Sequence, residues 1–198
     1  MSVDLKILRK QLRHQRRTMS PFAQKHAQQQ VLNQLLCLKA FQHSKKIGVY
    51  LHAFGEIQTR HIIEYCFKQH KEVYLPMICN MNQQLHWVKI TQQQYRNNRF
   101  SHHPLGMKEP MANRGLHVST LDFLIMPLLA CDIYGTRIGM GGGFYDRSLA
   151  YQARRQSWRK PTLLGLAHEC QKVACLAQAS WDVPLQGTVS DRQWYTAH

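Results

Sequence analysis

Acidic residues are scarce in this chain: 11 Asp and Glu stand against 26 Lys and Arg in 198 residues, a formal charge of +15. Such an imbalance asks for an anionic partner, either nucleic acid or small polyanions such as nucleotides and polycarboxylates. No recognised nucleic-acid module and no run of aromatics interleaved with basic residues is present, so small polyanions rank first and nucleic acid is not expected. Long apolar runs are also lacking. The longest, Phe123 to Cys131, falls well short of the ~20 residues that a membrane span needs. The polar opening Met1-Ser-Val-Asp-Leu-Lys6 has no signal-peptide core. The expectation is a soluble cytoplasmic protein with no membrane partner. Cysteines 37, 66, 79, 131, 170 and 175 form no Cys-x-x-Cys pair and no zinc-like arrangement, and read as small buried hydrophobes in a reducing compartment. No Ser-His-Asp or Cys-His constellation emerges, and most of the 12 histidines read as surface residues. With no repeat or low-complexity linker, residues 1–198 read as one domain.

What is present is an alternation of helical and strand patterns. Leu5, Leu8 and Leu12 recur at helical spacing through residues 3–17, with Lys6, Arg9, Lys10, Arg13, Arg16 and Arg17 on the other faces. A charged face of this kind is ordinarily solvated; one edge of it could also supply cations to a phosphate site. Ser20-Pro21 predicts an N-cap with proline at the first helical position, opening a helix to about Lys39 that buries Val31, Leu32, Leu35 and Leu36. Strands are expected at Lys46–Leu51, from Glu72 up to a stop at Pro76, at Leu85–Ile90, Leu121–Leu129, Thr162–Ala167 and 187–190. Thr59 is a plausible cap for a helix after the first strand, and residues 91–118 read as mostly irregular. The nearly continuous apolar run of Leu121–Leu129 is that of a parallel strand buried on both faces. Together these predict a three-layer α/β/α fold with a mostly parallel central sheet and a basic N-terminal helical segment of about residues 3–39. Ligands should gather at the strands' carboxyl ends, in the loops after residues 51, 76, 130 and 167.

One stretch concentrates chemistry: Gly135-Thr-Arg-Ile-Gly-Met-Gly-Gly-Gly-Phe-Tyr-Asp-Arg147. Gly139, Gly141, Gly142 and Gly143 free the backbone just before an expected helix, whose N-terminal N–H groups and dipole suit a phosphate. Arg137 and Arg147 could add fork-shaped donors, and Asp146 is a hard oxygen suited to Mg²⁺. The plain alternative is a tight turn packing two elements together. The stretch is neither a Walker loop nor a dinucleotide fingerprint, since Phe144 stands where the latter wants its third glycine.

In order along the chain, Lys6-Ile-Leu-Arg9, Gly55-Glu-Ile-Gln-Thr59, Gly106-Met-Lys-Glu-Pro110, Leu124 to Asp132 followed by the glycine stretch, and Trp181-Asp-Val-Pro184 resemble the 5-formyltetrahydrofolate cyclo-ligase family. The chain departs from the family pattern at Phe144, where the first of two tyrosines is usual, at Cys131, where an aromatic is common, and at Val189-Ser-Asp191, where Thr-Glu is frequent. The resemblance implies an enzyme that uses MgATP to phosphorylate the formyl oxygen of 5-formyltetrahydrofolate. A neighbouring nitrogen then closes the ring to 5,10-methenyltetrahydrofolate.

By the same resemblance Lys6 and Arg9 contact ATP, with Arg13 a further cation, and Arg137, Ile138, Gly139, Met140, Gly141, Gly142, Gly143, Phe144 and Tyr145 cradle the nucleotide. Arg137 and Arg147 are the expected catalytic cations, and Asp146 is the expected magnesium ligand. Glu56, Leu51, Met140 and Phe144 are expected on the folate, Glu56 pairing with a pterin's amino and ring N–H groups. Phe144 is expected to stack on the pterin, or else to be a core aromatic. Polyglutamylated folates would account for the basic charge, and the chain is expected to act as a monomer. The competing readings are another ATP-dependent small-molecule kinase or ligase on the same fold and, behind it, a basic nucleic-acid-binding protein.

Overall fold

The computed structural model describes residues 5–154 and 160–197. Helix α1 spans Leu5–Arg17 with His14, Arg16 and Arg17 in its last turn, where cations oppose the negative end of the helix dipole. Helix α2, Pro21–Cys37, is capped as expected: the Ser20 side chain accepts from the Ala23 N–H, and proline stands in the first turn. It buries Val31 and Leu35 fully, with Leu32 and Leu36 partly covered. The helix ends two residues before the expected Lys39, because Leu38 is extended (φ −83, ψ 110) and starts a separate helix α3, Lys39–His43.

Strand β1 is confined to Lys46–Gly48, and helix α4 follows at Arg60–Lys68. Strand β2, Glu72–Cys79, runs through Pro76 instead of stopping there. Its antiparallel partner β3, Gln84–Ile90, sets Trp87 opposite Pro76. Trp87 exchanges both backbone hydrogen bonds with Leu116 on its other side, so Pro76 faces a position that asks nothing of its missing N–H. The stretch read as irregular contains helix α5, Gln92–Arg96, closed by a reciprocal Thr91–Gln94 capping box, and the hairpin β4, Phe100–His102, with β5, Lys108–Pro110. Strand β6 is Phe123–Pro127; the short pair β7, Ala130–Cys131, and β8, Arg137–Ile138, leads into helix α6, Phe144–Arg154. The expected end of that helix, near Ser157, lies outside the described residues. Strands β9, Thr162–Leu166, β10, Gly187–Val189, and a strand the sequence reading missed, β11, Trp194–Thr196, complete the chain.

The main sheet has seven strands in the order β11-β10-β9-β6-β1-β2-β3. All interior pairings are parallel; β3 and β11 close the edges antiparallel. Strand β6 sits at the centre, as its unbroken apolar run requires. Its residues alternate between faces. Phe123 and Ile125 pack with Val31, Phe41 and Ile62 of α2, α3 and α4. Leu124 and Met126 pack with Leu149 of α6 and with Trp87, Val118 and Leu163. The result is the expected three layers. Helix α1 stands outside them: Leu12 and Leu8 pack on Leu129, Ala130 and Ile138, which lays the basic helix across the carboxyl end of β6.

No helix among the described residues is long and apolar enough to cross a membrane. The cysteine expectation holds only in part: Cys66 and Cys131 are buried, but Cys37, Cys170 and Cys175 are exposed.

Phe123 is fully enclosed between the sheet and the α3 layer, edge-on to Phe41 with ring centroids 5.5 Å apart. Replacing it with alanine should lower the unfolding free energy by about 3–5 kcal/mol, read as a shifted urea midpoint at unchanged slope; a loss under about 1 kcal/mol would contradict this account of the core.

Candidate active site

The carboxyl ends of β1, β6 and β9 bring three loops together, and α1 crosses them. Arg16, near the end of α1, is fully buried. Its Nε donates to the Phe54 carbonyl at 3.1 Å, its Nη1 to the Leu128 carbonyl at 3.2 Å, and its Nη2 lies 3.8 Å from the Met140 sulfur. One guanidinium thus joins the loop after β1, the end of β6 and the glycine turn. The sequence reading placed Arg16 on a solvated face and missed it, because a buried arginine and an exposed one leave the same mark in a helical pattern.

Glu56 is held in the loop after β1 by a turn in which the Ala53 N–H donates to its Oε2 at 3.0 Å. Phe54 and Gly55 both have positive φ there (52° and 79°), and a Cβ on Gly55 would come within 3.1 Å of the Arg16 carbonyl oxygen, so glycine is required by angle and by space. The carboxyl is buried. Loss of solvation pushes its pKa up to about 7, opposed by the Ala53 N–H and the Arg16 charge. Around it, Tyr50 donates to the Ile57 carbonyl, and both Tyr50 and Tyr145 have their pKa raised, first by burial and then by the Glu56 charge. His168, just beyond β9, sets Nε2 3.2 Å from the Gly55 carbonyl and buries Nδ1 without a protein partner. Its pKa is lowered, mainly by burial. Thr59 is not a side-chain cap for α4; its hydroxyl donates instead to the Tyr50 carbonyl at 2.7 Å, tying the Glu56 loop back onto β1.

The glycine stretch forms a turn between β8 and α6. Gly135 (φ +83°) cannot carry a Cβ, which would fall 2.5 Å from the Leu185 carbonyl oxygen. Gly141 (φ +106°) is strained for any other residue although the space around it is open. A Cβ on Gly139 would also meet nothing within 4 Å, so neither position packs against the protein and both leave the turn's outer face clear. Arg137 is buried, donates from Nη1 to the Val183 carbonyl at 2.7 Å, and pairs through Nη2 with Asp146 in the first turn of α6. Ile138, beside it, is buried against Leu12 of α1. Arg147 braces the turn, donating to the Gly142 carbonyl at 2.7 Å and the Gln83 carbonyl at 3.0 Å, with its guanidinium 5.0 Å from the Phe144 ring centroid. Phe144 folds back over Gly142 and is partly packed on the core.

Arg9, Arg13 and Arg16 share one face of α1 at spacings of four and three. The Nε atoms of Arg9 and Arg13 are buried without a protein partner, while Lys6 is exposed. Leu51 follows Tyr50 beyond the end of β1 and is half-buried. The structure therefore gathers Glu56, Met140, Tyr145, Arg137 and Asp146 around the carboxyl end of the sheet and spans them with α1. Among the described residues no three His, Cys, Asp or Glu side chains cluster in a way that could hold a metal ion. Asp146, paired with Arg137 and only partly exposed, is the acidic residue in the first turn of α6, and Mg²⁺ commonly takes one or two carboxylates and completes its shell with substrate phosphates and water.

Residues 2–191 match the model of the 5-formyltetrahydrofolate cyclo-ligase family. The chain is 35% identical over 184 residues to the 5-formyltetrahydrofolate cyclo-ligase of Haemophilus influenzae, covering 90% of this chain and 92% of the relative. It is 35% identical over 185 residues to that of Escherichia coli K12, covering 90% and 96%. The fold is also that of an Aquifex aeolicus 5,10-methenyltetrahydrofolate synthetase, with a TM-score of 0.79 at 24% identity over 97% of this chain and 92% of the other.

The raised Glu56 pKa has a stability consequence. Unfolded, the carboxyl ionises near its ordinary value; folded, near 7. Its contribution is complete below the unfolded value, declines as pH rises toward 7 and is level above that. The unfolding free energy of the wild type relative to Glu56→Gln should therefore fall between about pH 4.5 and 7. A flat difference in paired denaturant titrations would show that the carboxyl is solvated.

Proposed function

The chain belongs to the 5-formyltetrahydrofolate cyclo-ligase family and is an enzyme of that activity acting on a small-molecule folate, and from this premise we propose an ATP-dependent route and assign residues to it. The formyl oxygen of 5-formyltetrahydrofolate attacks the γ-phosphorus of ATP, and ADP leaves. The neighbouring nitrogen then attacks the activated formyl carbon, loses its proton, and phosphate departs with the former formyl oxygen to leave 5,10-methenyltetrahydrofolate. Hydroxide is a poor leaving group and phosphate a good one, so the nucleotide makes the carbon–oxygen bond breakable. What remains for the protein is alignment and charge neutralisation.

The observation that carries this reading is the juxtaposition of a buried carboxyl, Glu56, with a glycine turn whose outer face is open at Gly139 and Gly141. In this assignment the backbone of Gly139, Met140, Gly141, Gly142 and Gly143 and the first turn of α6, with Phe144 and Tyr145, receives the phosphates. Lys6, Arg9 and Arg13 close over the nucleotide from α1. The unpartnered Nε atoms of Arg9 and Arg13 support that placement, because buried donors are ordinarily satisfied. Arg137, buried beside Ile138, and Arg147, bracing the turn, neutralise charge developing during transfer. Asp146 would hold Mg²⁺, which supplies further neutralisation of the phosphates when bound.

Glu56 accepts paired hydrogen bonds from the pterin, with Leu51, Met140 and Phe144 against the ring system. Met140 serves both ligands, which fits its place between Arg16 and the turn. We further propose that the reaction takes place in the cytoplasm and in a monomer.

Mixing the protein with 5-formyltetrahydrofolate, Mg²⁺ and ATP should raise absorbance at the methenyl-folate band, and leaving out ATP should abolish the rise. A flat trace from folded protein would sink the proposal. Arg137→Lys, which keeps the charge but loses the fork, should lower kcat/KM by about 10²–10³-fold. Full activity in that variant would remove Arg137 from the machinery.

A further inference from the structure

The loop that carries Glu56 bends through two consecutive left-handed residues, Phe54 (φ 52°) and Gly55 (φ 79°). For a residue with a Cβ, such as Phe54, that conformation persists only where its surroundings over-determine it. Three carbonyls of the loop are each held by a buried side chain: Phe54 by Arg16 Nε at 3.1 Å, Gly55 by His168 Nε2 at 3.2 Å and Ile57 by the Tyr50 hydroxyl at 3.0 Å. Tyr50 lies just beyond the loop's own strand, and Arg16 belongs to the helix assigned to the nucleotide. His168 comes from beyond β9 and reaches across the end of β6, and the proposed route gives it no task.

The state of the ring follows from its partner. A carbonyl oxygen offers only lone pairs, so Nε2 carries a hydrogen and donates it. Nδ1 is buried without a protein partner, and a second hydrogen there would bury an unsatisfied charge. Burial lowers the pKa of the ring, opposed by Asp191 and the Gly55 carbonyl and assisted by Arg16, which keeps the imidazole neutral. Its mounting is rigid. The His168 N–H donates to Gln171 Oε1 at 2.9 Å, and Gln171 Nε2 donates to the Leu128 and Leu129 carbonyls at 2.8 and 3.0 Å.

We infer that His168 is a positioning residue for the folate: its Nε2–H fixes the Gly55–Glu56 peptide in the orientation that presents the Glu56 carboxyl to the pterin. The inference rests on the cyclo-ligase reading, in which Glu56 meets that ring. Rotation of this peptide would break the bond to His168 and swing the carboxyl away from its place. Among the described residues His168 makes no hydrogen bond to the glycine turn, so its effect falls on the folate and not on the nucleotide.

The test measures KM for 5-formyltetrahydrofolate and for ATP by initial rates in the wild type, His168→Gln and His168→Asn. The glutamine amide nitrogen lies as many bonds from Cα as histidine Nε2 and can donate in its place; the asparagine amide stops one bond short. His168→Asn should raise the folate KM about tenfold, the effect of one lost buried hydrogen bond, with KM for ATP level. His168→Gln should stay within about threefold of the wild type. In a Glu56→Ala background His168→Asn should add no further rise, because no carboxyl is left to place. KM does not depend on the fraction of protein that is folded, so a variant that folds incompletely is still read. An unchanged folate KM in His168→Asn, equal losses in the two amides, a parallel rise in KM for ATP, or an undiminished rise on Glu56→Ala overturns the inference and leaves the reaction standing. No turnover by the folded wild type removes the reading on which it rests.

Discussion

Burial of the Arg16 guanidinium is the constraint to which the rest of the site answers. A cation taken out of water must be surrounded by acceptors, and here those acceptors belong to three segments far apart in sequence: Phe54, Leu128 and Met140. The Leu128 carbonyl also accepts from Gln171, so the end of the central strand is drawn toward the loop after β9 as well. Glu56 supplies the opposing charge, which offsets part of the cost of burying Arg16 and is itself kept from ionising freely by the same burial. Helix α1 is thus fixed by one buried ion near its carboxyl end and by a small apolar cluster at Leu8 and Leu12, while Leu5, Lys6 and Ile7 at its start are exposed.

The architecture was legible where one period dominated. Strand β6 could be read as central because its apolar run leaves no polar face, and α2 because Ser20-Pro21 marks its start. Pro76 misled because proline is a breaker only where its N–H is needed, and whether it is needed depends on a neighbour, Leu116, far along the chain. Strand β11 was missed because three residues are too few for an alternation to register.

The site divides along the same line. Glycine, arginine and aspartate within one stretch have a local meaning, so that turn could be recognised before folding was considered. Arg16, Tyr50 and His168 act through burial and through contacts 7 to 124 residues away in sequence, which no local pattern records. Phe144, expected against the pterin, lies over Gly142 with Arg147 against its ring, so its present neighbours are those of a residue shaping the turn.

The pairing of Trp87 with Leu116 reaches beyond the Pro76 question. Strand β3 is the outermost strand on its side of the sheet, and an unpaired outer strand offers a ladder of amides to any other chain that arrives extended. Here the middle of that margin is already taken, since both backbone groups of Trp87 are bonded to Leu116 at 2.8 Å. A second molecule adding a strand would first have to displace this segment. The irregular return of the chain from the β4–β5 hairpin therefore acts as a guard against edge-to-edge self-association.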